Sequence, residues 1–218
     1  FDARGRAECL RLLMAYSGKD WEDKRHTKEE WGALKPTTVL GTMPFVKLED
    51  GTEIGQSGAC TKLLARMAGL MPESDVSMAK ADMIGDQIAD TVEGLVKIFF
   101  GGFEAEEKEA KLKAYISEKI PVMIAPIIKM LGENDFMVDN KLSWIDFRIM
   151  DVIGGLAKHG VPEAIWGDKL NALAGRVAAE PKLADYLKAR EEKEATAYAA
   201  GCPRPVSLAF QYWSLDSL

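Results

Sequence analysis

The chain has 218 residues, a formal net charge of −6 and 47% hydrophobic side chains. This length and apolar content suffice for one large domain or two small ones with a sizeable core. The acidic balance argues against a nucleic-acid partner, and no apolar run approaches the roughly 20 residues that cross a bilayer, which argues against a membrane partner. Because no secretory leader opens the sequence, we expect a cytoplasmic protein.

The first predicted elements are a helix and a polar connection. Between residues 5 and 16, apolar side chains recur at helical spacing. Residues 21–26 indicate a weak extended segment. The stretch 27–38 is polar and typical of a loop, and Pro36 favours an extended backbone at Lys35.

The next segment predicts a β-hairpin followed by a helix. Apolar and polar residues alternate in "MPFVKLE", and Asp50-Gly51 is typical of a two-residue type I′ turn before the returning strand "TEIGQS". Ser57 is then predicted to cap a helix. The predicted apolar face of that helix holds Ala59, Leu63 and Met67. If one strand precedes Phe1, residues 1–70 form a βαβ unit followed by a ββα unit.

Beyond a polar linker, the sequence predicts helices alone. These helices span 77–100, 104–131 with a bend at Pro121 or Pro126, a segment opened by a Ser143–Asp146 capping box, 165–178, and 181–199. The last stretch, 201–218, breaks the helical pattern and is expected to pack on the body of the protein. A small α/β region therefore precedes an all-helical one.

The three cysteines, Cys9, Cys60 and Cys202, have no metal-ligand spacing and form no disulfide framework. Cys9 and Cys60 fall on the apolar sides of predicted helices, so we expect them to be buried. We therefore expect no metal site and a reducing compartment.

Four short motifs, "GRAE", "MPF", "QSGA" and "SWIDF", follow one another along the chain. Together they resemble the cytosolic glutathione transferases, most closely the sigma class and its relatives the lens S-crystallins. The resemblance implies an α/β, thioredoxin-like domain over residues 1–70 and an all-α domain over 77–200. It does not cover the tail 201–218.

The resemblance also implies a binding site for glutathione as co-substrate, without a metal. Glutathione carries two carboxylates and one ammonium, so its pocket needs a helix N-terminus, free backbone groups and a counter-charge. The residues that match the family's glutathione contacts are Trp31, Lys35, Thr42, Met43, Pro44, Gln56, Ser57 and Asp90.

Two of these contacts have a direct physical rationale. Ser57 and Gln56, at the start of a helix, would take the γ-glutamyl carboxylate. Met43, before a cis Pro44, would pair with the cysteinyl backbone like an added strand. The alternatives are a simple helix cap at Ser57 and an ordinary proline at a strand start.

Trp31 and Lys35 would reach the glycyl carboxylate under the same resemblance. The alternatives are a core aromatic at Trp31 and a solvated surface charge at Lys35. Thr42 stands where relatives often carry Lys or Gln, which weakens one polar contact.

Asp82, Asp86 and Asp90 form a carboxylate stripe along the predicted helix 77–100. Such a stripe is ordinarily a solvated helix face. The family places the residue that matches Asp90 across a two-fold interface, where it meets the ammonium of glutathione held by the other subunit. A homodimer is therefore implied.

Arg6 matches the family's arginine near the thiol, where a positive charge favours the thiolate; the alternative is an ion pair with Glu8 or Asp2. In the family, the catalytic tyrosine stands immediately before the position that matches Phe1, and this sequence does not contain that position. The resemblance implies an electrophile pocket lined by Phe1, Ala3 and Gly5.

The expected function is transfer of the glutathione thiolate to small hydrophobic electrophiles, with prostaglandin-type isomerisation as an activity of sigma-class relatives. The alternative is a non-catalytic, S-crystallin-like protein that serves as a structural component or a ligand carrier.

Overall fold

The computed structural model describes residues 1–157 and 161–199, so Cys202 and the tail 201–218 lie outside the described residues. The described part is mostly helical, with one antiparallel two-stranded sheet. Its elements are α1 (Glu8–Ser17), α2 (Lys28–Leu34), β1 (Phe45–Lys47), β2 (Glu53–Gly55), α3 (Ser57–Met67), α4 (Asp75–Phe100), α5 (Ala105–Ala114), α6 (Ile120–Leu131), α7 (Trp144–Ala157), α8 (Gly167–Ala178) and α9 (Ala184–Ala199).

Residues 28–37 are helical, so the prediction of a loop over 27–38 is wrong. The Thr27 hydroxyl accepts the Glu30 N–H at 3.2 Å, and the Glu30 carboxylate accepts the Thr27 N–H at 2.7 Å. This reciprocal capping box starts α2 and was readable from the sequence as Thr-x-x-Glu. Lys35 is also helical (φ −46°, ψ −46°) and opens a 3₁₀ turn, so its predicted extended backbone is wrong.

The hairpin is confirmed, but its turn differs from the prediction. Phe45 pairs with Gly55, and this register leaves three residues, 49–51, in the loop. Gly51 has φ +88°, and Asp50 is absent from the positive-φ residues, whereas a type I′ turn needs positive φ at both central positions. The loop is therefore a three-residue turn that ends in a left-handed glycine. Residues 21–26 join no strand of the described sheet.

The helix α3 presents a different face to the core than its apolar pattern predicted. Its buried residues are Cys60, Thr61, Leu64 and Ala65. The Cys60 thiol lies 3.1 Å from the Ile54 carbonyl of β2, and α3 also packs against α1, so the hairpin and α1 together select this face. The predicted face fails because Ala59 and Met67 are exposed and Leu63 is only partly buried.

The long helix α4 ends at Gly101 as predicted, with Ile84, Ile88, Leu95 and Phe99 buried. In the predicted 104–131 helix, a π-helical turn over Tyr115–Lys119 separates α5 from α6. This turn directly precedes Pro121, which sits in the first turn of α6.

The start of α7 is stabilised as the "SWID" motif indicates. The Asp146 carboxylate accepts the Ser143 N–H at 2.8 Å and the Met137 N–H at 2.8 Å. The Ser143 hydroxyl donates to the same carboxylate at 3.1 Å, so only the carboxylate half of the predicted capping box forms. Burial of Asp146 raises its pKa to about 6, although these donors favour the charged form.

One continuous apolar core joins the front and back of the chain. The helix α7 lies within it and packs on α1, α4 and α8, while α1 also packs on α3. The Trp144 N–H donates to the Leu70 carbonyl at 3.0 Å, which fixes the end of the front region against α7. Cys9 and Cys60 are buried, as predicted. In the described residues, no helix combines the length and apolar character needed to cross a membrane.

Candidate functional site

The end of the β-hairpin brings Met43 and Ser57 to one place. Phe45 pairs with Gly55, so the residues just before β1 and just after β2 emerge at the same end of the sheet. The Met43–Pro44 peptide bond is cis, as the resemblance implied. Within the described residues, neither the N–H nor the C=O of Met43 has a hydrogen-bond partner. Its backbone can therefore still pair with an extended peptide.

Gln56 makes the turn from β2 into α3 with an unusual backbone. Its φ is +65° and its ψ is 121°, outside the regions that residues with a side chain prefer. Such a conformation costs on the order of 1–3 kcal/mol and is found preferentially at ligand sites. The side chain of Gln56 is exposed beside the helix start.

The N-terminus of α3 is uncapped. Gln56 is the N-cap and its side chain makes no capping bond, so the predicted cap at Ser57 is wrong: Ser57 is the first helical residue. The first amide with a partner is that of Cys60, which donates to the Gln56 carbonyl at 3.0 Å. The amides of residues 57–59 and the Ser57 hydroxyl have no partner among the described residues. Three free N–H groups and the positive end of the helix dipole thus meet beside Met43, an arrangement suited to a carboxylate.

Lys35 reaches the same end of the hairpin. Its side chain passes Gly41, where a Cβ would lie 3.7 Å from Lys35 Cε, and Gly41 is two residues before Met43. Lys35 is exposed and forms no ion pair with the described residues. Thr42 is also exposed. The cation of Lys35 is therefore available to a second carboxylate.

Trp31 lies on α2 and is half-buried. Its N–H and C=O serve the helix, the carbonyl accepting the Lys35 N–H. Among the described residues, no hydrogen bond joins Trp31 to Met43 or Ser57, so its assignment to the site stays a prediction.

Arg6 forms its ion pair with Glu93 of α4. Neither Glu8 nor Asp2, the two partners considered from the sequence, pairs with it. Arg6 and Glu93 both keep about half of their side chains in solvent, 50% and 42% exposed. Asp90 is exposed one helical turn before Glu93, so Arg6 and Asp90 lie along the same side of α4.

The acidic stripe on α4 is partly neutralised from α3. Lys62 Nζ lies 3.0 Å from Asp82 Oδ2, while Asp86 and Asp90 have no ion pair within the described residues. Asp90 therefore remains available to an external cation.

A buried charge network that the sequence did not reveal supports the N-terminal segment. Arg11 is 7% exposed and donates to the carbonyls of Ala3 at 3.2 Å and Arg4 at 3.0 Å. It pairs with Glu8 at 3.0 Å and with Asp23 at 3.0 Å. The Glu-x-x-Arg spacing on α1 could have indicated the first pair. The contacts to the two carbonyls depend on tertiary structure and had no sequence signal.

Two groups of the predicted residues are thus assembled separately. Met43, Gln56 and Ser57 meet at the hairpin end with Lys35 passing nearby at Gly41, and Arg6 and Asp90 share one side of α4. Phe1 is 48% exposed and Gly5 has φ +51°, both in the segment ahead of α1. Among the described residues, no group of His, Cys, Asp and Glu side chains is arranged to hold a metal ion.

Comparison with known proteins places the chain in one family. Residues 89–190 match the family model described as "Glutathione S-transferase, C-terminal domain". Glutathione S-transferase 4 of Caenorhabditis elegans is 31% identical, over 88% of this chain and 95% of that protein. Hematopoietic prostaglandin D synthase of Gallus gallus is 32% identical, over 87% of this chain and 94% of that protein.

A solved structure shares the fold. The structure of prostaglandin synthase D of Nilaparvata lugens superposes with a TM-score of 0.79 at 22% identity, covering 86% of this chain and 94% of the other. The predicted fold, a thioredoxin-like region followed by an all-helical region, is thereby confirmed. This chain belongs to the glutathione S-transferase family.

Proposed function

We propose that this protein binds glutathione at the end of the β1–β2 hairpin and transfers its thiolate to small hydrophobic electrophiles. The observation that carries the proposal is the cluster of three free amides at residues 57–59 beside the unpaired backbone of Met43. We further propose that the protein is a cytoplasmic, detoxifying enzyme of the sigma class. The similarity to a prostaglandin D synthase supports this class.

The proposed binding mode uses each charged end of the tripeptide. The γ-glutamyl carboxylate accepts hydrogen bonds from the α3 amides and the Ser57 hydroxyl, next to Gln56. The cysteinyl backbone pairs with the N–H and C=O of Met43. The glycyl carboxylate meets Lys35, with Trp31 alongside.

The proposed chemistry is a nucleophilic substitution. The glutathione thiolate attacks an electrophilic carbon, a C–S bond forms, and the leaving group departs with its electron pair. Arg6 favours the thiolate over the thiol, an effect that its partial neutralisation by Glu93 moderates. Phe1, Ala3 and Gly5 form the electrophile side of the site. A prostaglandin endoperoxide is a second substrate to test, on the strength of the Gallus gallus relative.

The proposal includes a homodimer. Exposed apolar side chains occur on the two helices that Lys62 and Asp82 bring together: Met67 of α3 is 36% exposed and Met83 of α4 is 54% exposed. Burying these side chains against a second copy would favour association. Asp90, on the same helix as Met83, would then reach the ammonium of glutathione bound by the partner.

The test combines binding with turnover. We expect the purified protein to be retained on immobilised glutathione and to conjugate a chlorinated aromatic substrate. Ser57→Ala should raise the apparent Kd for glutathione about five-fold, because a charge-assisted hydrogen bond is lost. It should leave the free energy of unfolding within about 0.5 kcal/mol, because the hydroxyl has no partner in the folded protein.

Ser117→Ala, at an exposed hydroxyl that donates to the Lys113 carbonyl, is the control and should not change glutathione binding. An unchanged Kd in Ser57→Ala would remove Ser57 from the site. If the unmodified protein binds glutathione but shows no turnover, the S-crystallin-like alternative is favoured. If it neither binds glutathione nor shows turnover, the ligand assignment is rejected.

A further inference from the structure

The last helix of the described chain, α9, is tied to the segment ahead of α1. Arg4 Nε lies 2.6 Å from Glu194 Oε1, and Arg4 Nη2 lies 2.8 Å from Glu194 Oε2. The two residues are 190 positions apart in the sequence, and their side chains are only 16% and 19% exposed. The contact is thus a two-pronged, largely desolvated pair, which is stronger and more directional than a surface ion pair.

Three further contacts join α9 to the start of α1 and to the segment ahead of it. Arg190 of α9 pairs with the buried Glu8 at 3.0 Å, and the Tyr186 hydroxyl donates to Glu8 at 2.9 Å. Lys193 reaches Asp2 at 2.7 Å, but both side chains are more than half exposed, so this pair contributes little.

Arg4 is held from both of its ends. Arg11 donates to its backbone carbonyl at 3.0 Å, and Glu194 holds its guanidinium. The same guanidinium runs close to α7, where a Cβ at Gly154 would lie 3.5 Å from Arg4 Nη1. With its backbone and side chain both fixed, Arg4 sets the path of its neighbours Ala3 and Gly5 together with Arg11, which also holds the Ala3 carbonyl.

We propose that Glu194 is a positioning residue, through which α9 sets the geometry of residues 3–6 by way of Arg4. The consequence for catalysis rests on the proposed function, since Ala3, Gly5 and Arg6 are the electrophile-side and thiolate-side residues of that site. The glutathione contacts at Met43 and Ser57 belong to other elements. Glu194 therefore affects the catalytic efficiency toward the electrophile rather than the affinity for glutathione.

The first experiment needs no turnover. Glu194→Gln keeps the size of the side chain and removes its charge, so the largely buried Arg4 guanidinium loses the carboxylate that it contacts directly. Amide hydrogen exchange in a peptide that covers residues 1–8 should become about ten-fold faster, while exchange in α3 stays unchanged. Glu192→Gln, at an exposed position on the same helix, is the matched control and should alter neither.

The second experiment measures kinetics. Glu194→Gln should lower kcat/KM for the electrophile about five-fold with the KM for glutathione unchanged, because misplacement of a reacting group reduces rate. Arg4→Gln should give a similar loss, and the double variant should lose no more than Arg4→Gln alone, since Glu194 acts through Arg4.

Unchanged exchange in residues 1–8 would overturn the proposal, and so would additive losses in the double variant or a loss expressed only in the KM for glutathione. If the unmodified protein shows no turnover at all, the proposed function fails, and the exchange result alone then decides whether α9 positions this segment.

Discussion

At the scale of single residues, helix starts differ in whether their amides are already satisfied. At α2, Thr27 and Glu30 bond to each other's backbone. At α4, the Ser74 hydroxyl accepts the Ser77 N–H at 3.1 Å. At α3, Gln56 and Ser57 make no such bond, although both could accept one. A side chain that could cap its own helix but does not leaves the amides to a ligand, which is why we place the carboxylate there.

Asp151 carries a pH dependence at the same scale. It is buried and its Oδ2 lies 3.2 Å from Arg148 Nη1. Burial raises the pKa of Asp151 from 3.8 to about 6, an effect that the charge of Arg148 only partly offsets. The folded protein therefore keeps this proton to a higher pH than the unfolded chain does, and this contribution to stability declines as the pH rises from about 4 through about 6.

Asp151→Asn should remove that decline, because an amide does not titrate. In urea unfolding, the free energy of unfolding of the variant relative to the unmodified protein should rise between pH 4 and pH 7 by on the order of 1–3 kcal/mol. The exposed Asp20→Asn is the control and should show no such trend. A constant difference for Asp151→Asn across the range would contradict the burial argument.

At the scale of elements, apolar periodicity predicted the helices whose apolar residues are the ones that the fold buries. The apolar stripe of α4 and the apolar residues of α1 correspond to their buried faces. The face of α3 was predicted wrongly because packing against α1 and the hairpin buries Cys60 and Leu64 instead of the predicted stripe. The helix α2 was missed because its start is polar, although Thr27 and Glu30 carry the capping pattern.

The candidate site also has one part that could be predicted from local sequence and one part that could not. The motifs around Met43 and Ser57 could be found from the sequence because each proposed contact uses adjacent residues. These are the Met-Pro pair before β1 and the Gln-Ser pair at the start of α3. The pairing of Arg4 with Glu194 could not, since it joins positions 190 residues apart and depends on where α9 docks. Local patterns thus identify the residues of the proposed glutathione contacts, whereas the contacts that position the proposed electrophile side depend on tertiary structure.

The contact between α4 and the π-helical turn after α5 depends on the absence of a side chain at Gly94. A Cβ there would lie 2.0 Å from the Tyr115 hydroxyl oxygen, which donates to the Thr91 carbonyl at 3.1 Å. Gly94→Ala should therefore displace the Tyr115 ring and lower the free energy of unfolding by about 1–3 kcal/mol. Thermal or urea unfolding gives the measurement.

Gly175→Ala is the matched control, because Gly175 is helical and has open space where its Cβ would be. This change should raise the free energy of unfolding by about 0.5–1 kcal/mol through helix propensity. If both substitutions stabilise the protein equally, close packing at Gly94 is not limiting.

At the scale of the whole molecule, the proposed assembly gives two aspartates of one stripe different roles. Asp86 and Asp90 are both exposed on α4, one helical turn apart. Asp90→Ala should weaken glutathione binding about five-fold, since a charge opposite the ammonium is lost across the interface. The dimer should persist in sedimentation experiments, because its contact rests on apolar side chains.

Asp86→Ala has the same change in charge on the same helix and should leave glutathione binding unaltered. Equal effects of the two substitutions would mean that glutathione binding responds only to the overall negative charge of α4 and not to a specific contact with Asp90. An unaltered glutathione affinity in Asp90→Ala would remove Asp90 from the site.

The burial of Cys9 and Cys60 has a chemical consequence for the proposed reaction with electrophiles. Burial raises the pKa of the Cys9 thiol to about 12 and also raises that of Cys60. Alkylating agents react with an accessible thiolate. Both thiols are buried and protonated at neutral pH, so neither reacts readily. If the protein acts on electrophiles as proposed, these two thiols are protected from alkylation by its substrates.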